Sequence, residues 1–293
     1  MRSGFVAVVG RPNVGKSTLV NAMVGRKVAI TSSRPQTTRS AIRGVLTDTE
    51  ERWQMVLVDT PGIHKPRTEL GSRLNGIVSG TLKECDVVLM VIDATAPIGS
   101  GDQLTAERVR VADRPTVLVV NKVDASDPGR IADQLAVSSE WDFDSYVPIS
   151  AQTGEGVPIV VSEIAARLQD GPMYFPEEMW TDQPEAMLIA ELIREKFLER
   201  LRDELPHSLA MRIEDLETRD DGLFTITADV VVERKSQKGI VIGKGASLLK
   251  VAGTEAREEL ERLFGTKVHL DLRVVVERDW QRRATALDRL GFE

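Results

Sequence analysis

GFVAVVGRPNVGKSTLV, residues 4–20, joins a β-branched run to a helical one through a glycine-containing turn. Its middle, Gly10-Arg11-Pro12-Asn13-Val14-Gly15-Lys16-Ser17, fits the pattern G-x-x-x-x-G-K-[ST] without deviation. It also lies in the required setting, strand before and helix after. The glycines let backbone N–H groups close on phosphates, Lys16 reaches the β- and γ-phosphates, and Ser17 binds Mg²⁺. Thr18 completes the set of residues expected against the nucleotide.

Outward from this stretch, residues 1–170 alternate short apolar runs with longer helical ones. Strands are expected at 5–9, 41–47, 53–58, 86–92, 116–120 and 145–149, and helices near 16–24, 67–83, 101–112, 129–139 and 156–168. Near-continuous apolar strands between helices imply an α/β domain whose mostly parallel six-stranded sheet is covered on both faces. The texture then breaks. DGPMYFPEEMWTDQPE, residues 170–185, has three prolines and five acidic residues without a period, so 171–185 reads as a linker. Over 186–293 the expected order is α-β-β-α-α-β plus a terminal helix. The first helix covers 185–205, a strand at 223–233 has Phe224, Ile226, Ala228, Val230 and Val232 on one face, and a helix covers 253–264. One-sided strands make this a smaller α+β domain.

Composition narrows the class. The 293 residues are 42% hydrophobic and 28% charged, as in soluble globular proteins, and the longest apolar run, 87–92, is far too short for a bilayer. No secretory signal is read at the start, Cys85 stands alone, and His64, His207 and His269 are scattered. A disulfide within the chain is excluded, a metal cluster is not expected, and a reducing, cytoplasmic compartment is favoured. A net charge of −7 argues against a surface coated in positive charge but leaves room for a local basic patch.

Three further motifs follow the phosphate loop in order. Asp59-Thr60-Pro61-Gly62 ends the third strand: the aspartate would hold the magnesium shell through water, and the Gly62 N–H could sense the γ-phosphate. Asn121-Lys122-Val123-Asp124 ends the fifth, where Asp124 can accept two hydrogen bonds from guanine that adenine does not offer. Ser150-Ala151 follows the sixth and would close on guanine O6 through backbone N–H. Together they specify GTP rather than ATP. Thr38 is the expected Mg²⁺-binding threonine of the 28–40 loop, with Thr37 as the alternative left by spacing; Arg34 and Arg39 are expected to face solvent or a partner. Ile63 occupies a position where many small GTPases place a water-orienting glutamine, and His64 is expected to be an exposed loop residue. Unaided hydrolysis should then be slow, on the order of 10⁻⁴ to 10⁻² s⁻¹. Asn13 either shapes its loop or lends its amide oxygen to a monovalent cation that would stabilise transition-state charge. The catalytic set is thus Lys16, Thr38 and Gly62, with Asn13 as the cation ligand.

Taken together, the chain resembles the Era family of bacterial ribosome-assembly GTPases, within the TrmE-Era-EngA-YihA-Septin-like superfamily. The carriers are GRPNVGKS, SSRPQTTR, DTPGIHKP, NKVD and SAQTG in the first domain and VIGKGASLLK in the second, so coverage is end to end. The resemblance implies a P-loop GTPase domain followed by a type II KH domain. It also implies binding near the 3′ end of small-subunit ribosomal RNA during maturation of the 30S subunit. In that family a hydrophobic residue, here Ile63, replaces the catalytic glutamine, and Asn13 matches the asparagine associated with potassium-stimulated hydrolysis, which adds K⁺ to Mg²⁺.

VIGKGASLLK, residues 241–250, has the wrong spacing for a second nucleotide cradle and lacks a serine or threonine directly after its lysine. A KH module clamps about four nucleotides with a G-x-x-G loop between two helices. Here that span is Gly243-Lys244-Gly245-Ala246, with alanine in the last position. Alanine disfavours a positive φ, so the loop is expected to be slightly reshaped and its affinity tuned. From Arg234 to Thr254 there are five basic residues (Arg234, Lys235, Lys238, Lys244, Lys250) and no acidic one. Ile240, Val241 and Ile242 are expected to floor an apolar groove for bases; sequence leaves open which is exposed. A GTP-dependent regulator that binds a protein through this module is the competing reading. A transfer-RNA modification enzyme fits less, since no nucleophile or cofactor motif stands out. Expected partners are GTP, GDP, small-subunit ribosomal RNA and the 30S subunit, and not DNA. Weak peripheral association with the inner face of the cell membrane stays open, and no oligomer is indicated.

Overall fold

The structure is a computed structural model, described for residues 1–32, 37–63, 68–202, 205–206 and 208–292. The chain divides into two compact units, the first running essentially to Asp182 and the second from Gln183.

In the first unit, β1 (Arg2–Val9), β2 (Ile42–Asp48), β3 (Trp53–Asp59), β4 (Val87–Asp93), β5 (Thr116–Asn121) and β6 (Ser145–Ile149) lie in the order β2-β3-β1-β4-β5-β6. β2 runs antiparallel to β3, and the other pairs along this path are parallel. A two-residue strand, β7 (Gln169–Asp170), pairs antiparallel with the start of β1 and adds a seventh strand to the expected six. The helices are α1 (Lys16–Val24), α2 (Glu69–Glu84), α3 (Ser100–Ala112), α4 (Pro128–Ser139) and α5 (Val157–Arg167). Alternation along the strands builds two cores. Val6, Val8, Leu89, Val91, Val117 and Val119 pack with Leu19, Val20, Val160 and Ile164. Ala7, Val9, Val88, Met90, Leu118 and Val120 pack with Val78, Leu82 and Val109. Because both faces are covered, every residue of β4 is buried, which is why its sequence reads as one apolar run. The parallel strands deliver the loops after β1, β3, β4, β5 and β6 to one edge. Antiparallel β2 begins at that same edge, with Ile42 opposite Asp59, and so brings Thr38 there too.

The stretch 171–185, expected as a linker, is bound to the first unit as far as Asp182. The N–H groups of Tyr174 and Phe175 donate to Gln54 Oε1 at 2.8 and 3.0 Å, and Gln54 Nε2 donates to the Phe175 carbonyl at 2.8 Å. Val45 N–H donates to the Trp180 carbonyl (2.9 Å), Thr181 Oγ1 to the Arg43 carbonyl (2.7 Å), and Arg43 pairs with Asp182 (2.6 Å). The segment thereby caps the otherwise free edge of β2.

The second unit contains α6 (Glu185–Leu198), β8 (Ala210–Thr218), β9 (Phe224–Val232), α7 (Lys235–Ile242), α8 (Ser247–Phe264), β10 (Val268–Val276) and α9 (Ala284–Arg289). Its sheet has the order β10-β9-β8, with β9 parallel to β10 and antiparallel to β8. The five residues expected on one face of β9 are all buried. Two boundaries differ from expectation. α6 stops at Leu198 and not at 205, and α8 starts at Ser247 and not at 253. Gly253 therefore lies inside α8, where a Cβ would sit 3.3 Å from Leu272 Cδ1; it lets the helix approach β10 closely and breaks nothing.

Candidate functional site

The Gly10–Ser17 loop turns from β1 into α1, whose first residue is Lys16. Gly15 takes φ 96°, and a Cβ there would run into the Asn121 side-chain amide. Lys16 folds back over the loop, its Nζ donating to the carbonyls of Gly10 and Arg11 at 3.3 Å each. Burial lowers the Lys16 pKa, with the Asp59 charge opposing. Asn13 has φ 65°, a left-handed conformation that asparagine tolerates better than most residues. Arg11 turns away from the loop and donates from Nε to Asp102 Oδ1 at 3.1 Å.

Three oxygen-bearing side chains from separate elements converge beside the loop. Ser17 Oγ donates to Asp59 Oδ2 at 2.6 Å, Thr38 Oγ1 donates to the same atom at 3.2 Å, and the two hydroxyls are 3.0 Å apart. Asp59 Oδ1, by contrast, is buried with no hydrogen-bond partner. Burial pushes the Asp59 carboxyl up, while the Lys16 charge and the two hydroxyls act against that. Two hydroxyls and a carboxylate with an unused oxygen form a hard-donor set suited to Mg²⁺. Thr38 is buried and Thr37 only half-buried, and Thr38 is the one that reaches Asp59. Arg39, expected to face solvent or a partner, is 1% exposed, a correction to the sequence reading. Arg34 and His64 lie outside the described residues.

The Asp59-Thr60-Pro61-Gly62 segment is drawn against the phosphate loop. Thr60 Oγ1 donates to the Val8 carbonyl at 2.7 Å, and a Cβ at Gly62 would lie 2.8 Å from Pro12 Cα. Ile63 is 2% exposed and belongs to the apolar cluster with Ala7 and Val9. Its side chain is packing, and offers no group to a water.

At the far end of the site, one buried amide joins three motifs. Asn121 Nδ2 donates to the Val14 carbonyl (2.8 Å), and Asn121 Oδ1 accepts the Ala151 N–H (2.9 Å). Ser150 N–H donates to the Glu155 carbonyl at 3.0 Å, and Ser150 Oγ accepts the Thr153 N–H at 3.1 Å. Both N–H groups that sequence assigned to guanine O6 thus have protein partners, Ser150 within its own loop and Ala151 at the end of β5. Lys122, with φ 71°, bridges the Asn13 carbonyl (2.7 Å) and Asp93 Oδ2 (2.6 Å). Asp124 is exposed on the short turn Val123–Ala125. Asp93 is a residue the sequence reading missed. Burial opposes its charge, but hydrogen bonds from Lys122 and Thr95 outweigh burial and hold its carboxyl below the ordinary value. The available signal was its place at the end of β4, in register with Asn121.

In the second unit, Gly243 (φ 76°), Gly245 (φ 60°) and Ala246 (φ 62°, ψ 26°) link α7 to α8. Ala246 holds the left-handed conformation that glycine would take, so strain at one residue stands where reshaping was expected. Val241 is fully buried, Ile240 is 54% exposed, and Ile242 is half-buried, which settles the order sequence left open. Arg234, Lys235, Lys244 and Lys250 are exposed and Lys238 is half-buried. Gln237 Oε1 accepts the N–H groups of Glu233 and Arg234, both at 2.9 Å, and fixes the start of α7. Among the described residues no cluster of three or more histidine, cysteine, aspartate or glutamate side chains is placed to hold a metal, and no helix is long and apolar enough to cross a membrane.

These two constellations define a phosphate-loop GTPase joined to a KH module. Residues 5–122 match the family described as 50S ribosome-binding GTPase, and residues 204–281 match the KH domain family. The chain is 53% identical to the GTPase Era of Mycolicibacterium paratuberculosis and 52% identical to that of Mycolicibacterium smegmatis, over 99% of both chains in each case. It is 36% identical to an Aquifex aeolicus Era variant crystallised with GDP.AlF4-, covering 100% of this chain and 99% of that one with a TM-score of 0.95. A second solved structure, Era with MgGDPNP and nucleotides 1506–1542 of 16S ribosomal RNA, has the same identity and coverage and a TM-score of 0.96. The chain belongs to the Era family of GTPases. It is an enzyme that hydrolyses GTP.

Proposed function

We propose that the chain is a GTP-driven switch that binds small-subunit ribosomal RNA near its 3′ end through residues 186–293 and assists maturation of the 30S subunit. The observation that carries this reading is the Gly243–Ala246 loop. It keeps the backbone turn of an RNA clamp, with basic side chains around it and Ile240 exposed beside it. The full-length likeness to Era with a 16S fragment supports it.

In the first domain, Lys16 and the loop N–H groups bind the phosphates, and the Gly62 N–H senses the γ-phosphate. Ser17, Thr38 and Asp59 would hold Mg²⁺, which when bound would supply positive charge against the β- and γ-phosphates. Asp124 reads the guanine edge, Asn121 and Lys122 brace the base pocket, and an Ala151 N–H shared with Asn121 Oδ1 reaches the base oxygen. With Ile63 packed inward, its side chain orients no water and turnover is slow. Asn13 supplies a K⁺ ligand; equal hydrolysis rates in potassium and sodium, for native protein and Asn13→Ala alike, would remove that role. The work is done in the cytoplasm, and any membrane contact is peripheral.

Titration of a 16S 3′-end oligonucleotide against protein loaded with a GTP analogue tests the central reading. Tight, salt-dependent binding lost in Lys244→Glu is expected. Residues 5–122 match a family named for the 50S subunit, so a 23S-derived oligonucleotide is the second arm. Preference for that arm would move the function to the large subunit. Unchanged affinity in Lys244→Glu would leave the protein-binding regulator as the better account.

A further inference from the structure

Two residues joined by one hydrogen bond both hold a left-handed backbone. Asn13, in the phosphate loop, has φ 65°, and Lys122, directly after β5, has φ 71°. Asparagine tolerates that conformation better than lysine does, and a residue other than glycine stays there where its surroundings over-determine it. The bond runs from Lys122 Nζ to the Asn13 carbonyl at 2.7 Å, between residues 109 apart in sequence. The same ammonium donates to Asp93 Oδ2 at 2.6 Å. The group that aims Lys122 at the phosphate loop is therefore the carboxylate at the end of β4.

Asp93 is itself held in place. It is buried, and its second oxygen, Oδ1, accepts the Thr95 N–H at 2.9 Å and the Thr95 hydroxyl at 2.6 Å. With both oxygens engaged, the carboxylate is a fixed point to which the long lysine side chain is drawn. A second acid steadies the loop two residues before Asn13. Asp102, also buried, takes Arg11 Nε on Oδ1 at 3.1 Å and accepts the Gly99 N–H on Oδ2 at 3.0 Å, at the start of α3. Arg11 Nη2 comes no nearer than 4.0 Å to Asp93 Oδ2. The division of labour is then clear: Asp102 anchors Arg11, and Asp93 reaches Asn13 through Lys122.

We propose that Asp93 is a positioning residue of the GTPase reaction: by holding Lys122 it keeps the Asn13 turn, and with it the N–H groups of the phosphate loop, in the form that grips the nucleotide. The proposal rests on the assignment of Gly10–Ser17 to the phosphates. Asp93 belongs to the base end of the site, yet its effect should appear at the phosphates too. A role confined to the base pocket would change nucleotide binding and leave the chemical step alone. The isosteric Asp93→Asn isolates the contact. Its amide oxygen can keep the bonds from Thr95, which leaves its NH₂ group facing the Lys122 ammonium, donor against donor.

The test measures release of fluorescently labelled GDP and steady-state GTP hydrolysis by the full chain. Losing a charge-assisted hydrogen bond should speed GDP release about tenfold in Asp93→Asn. KM should rise and kcat should fall together, and Asp93→Glu, which keeps the charge, should recover part of both. Thr95→Val removes one of the two bonds to Oδ1 and no charge, so it should speed release about threefold. In a Lys122→Met background, Asp93→Asn should add nothing further, since the two residues act through one contact. A raised KM with native kcat, or additive losses in the double variant, would overturn the proposal. So would native GDP release in Asp93→Asn and Thr95→Val alike. Lys16→Ala tests the assignment beneath it and should abolish tight binding of labelled GDP; native binding there would remove the phosphate reading and this proposal with it.

Discussion

Ala246→Gly isolates the one residue at which the clamp departs from its pattern. Ala246 caps the start of α8 at φ 62°, ψ 26°, and Gly265 caps its end at φ 66°, ψ 17°. The two positions share nearly the same left-handed backbone, and a Cβ at Gly265 would meet nothing within 4 Å. At Gly265 the energetic difference between alanine and glycine is therefore one of backbone conformation and not of packing. Holding an L-residue in this conformation costs about 1–2 kcal/mol. Glycine removes that cost but widens the unfolded ensemble, which takes back about 0.4–1 kcal/mol. The net expectation is that Ala246→Gly stabilises the second domain by about 0.5–1 kcal/mol, and that Gly265→Ala destabilises it by a similar amount. Urea denaturation of the full chain with saturating GDP is the assay, since the nucleotide raises the stability of the first domain and leaves the second to unfold first. Buried Trp280 reports that transition by fluorescence. The reasoning is refuted if Gly265→Ala is destabilising while Ala246→Gly is neutral or destabilising too. RNA affinity of Ala246→Gly should not fall, because the loop already has the glycine geometry.

Other expectations come from the nucleotide site. Asp124→Asn exchanges an acceptor for an amide that can face the C2 oxygen of xanthine, so guanine selectivity should fall by about 10⁴-fold and xanthine nucleotides should bind, measured by competition with labelled GDP. Asp93→Asn removes a carboxylate whose folded pKa lies below its unfolded one. That carboxylate adds stability above the unfolded value and loses it as pH falls through the folded value. Native protein should therefore lose more stability on acidification through the carboxylate range than the variant, a difference read from melting temperature against pH. Ile63→Gln should not accelerate hydrolysis, because its side chain enters an apolar cluster, and it should destabilise the fold by about 1–3 kcal/mol.

The parts of the site that were legible in sequence are those whose chemistry is local. The phosphate loop needs its glycines, lysine and serine at fixed offsets, and a continuous apolar strand such as β4 announces burial on both faces. What escaped was settled by contacts distant in sequence. The segment up to Asp182 has no period of its own because its order comes from Gln54, Arg43 and Val45, 120 or more residues earlier. Asn121 was read as part of base recognition, yet its two hydrogen bonds to Val14 and Ala151 give it a bracing role that no local pattern carries. Arg39 illustrates the opposite failure: a charged loop residue is normally solvated, and here the fold buries it. α8 begins at Ser247, earlier than expected, and carries Gly253 in its interior, where a Cβ would sit 3.3 Å from Leu272 Cδ1.

The most direct test of the account is the affinity of the full chain for a 16S 3′-end RNA with GTP analogue bound and with GDP bound, at one fixed salt concentration. If Thr38 holds Mg²⁺ and Gly62 senses the γ-phosphate as proposed, the two nucleotide states should differ in RNA affinity by about 5- to 150-fold. By reciprocity the RNA should tighten the analogue over GDP by the same factor. Equal RNA affinity in the two states would contradict the account, leaving a GTPase and an RNA-binding domain that share a chain without acting as a switch.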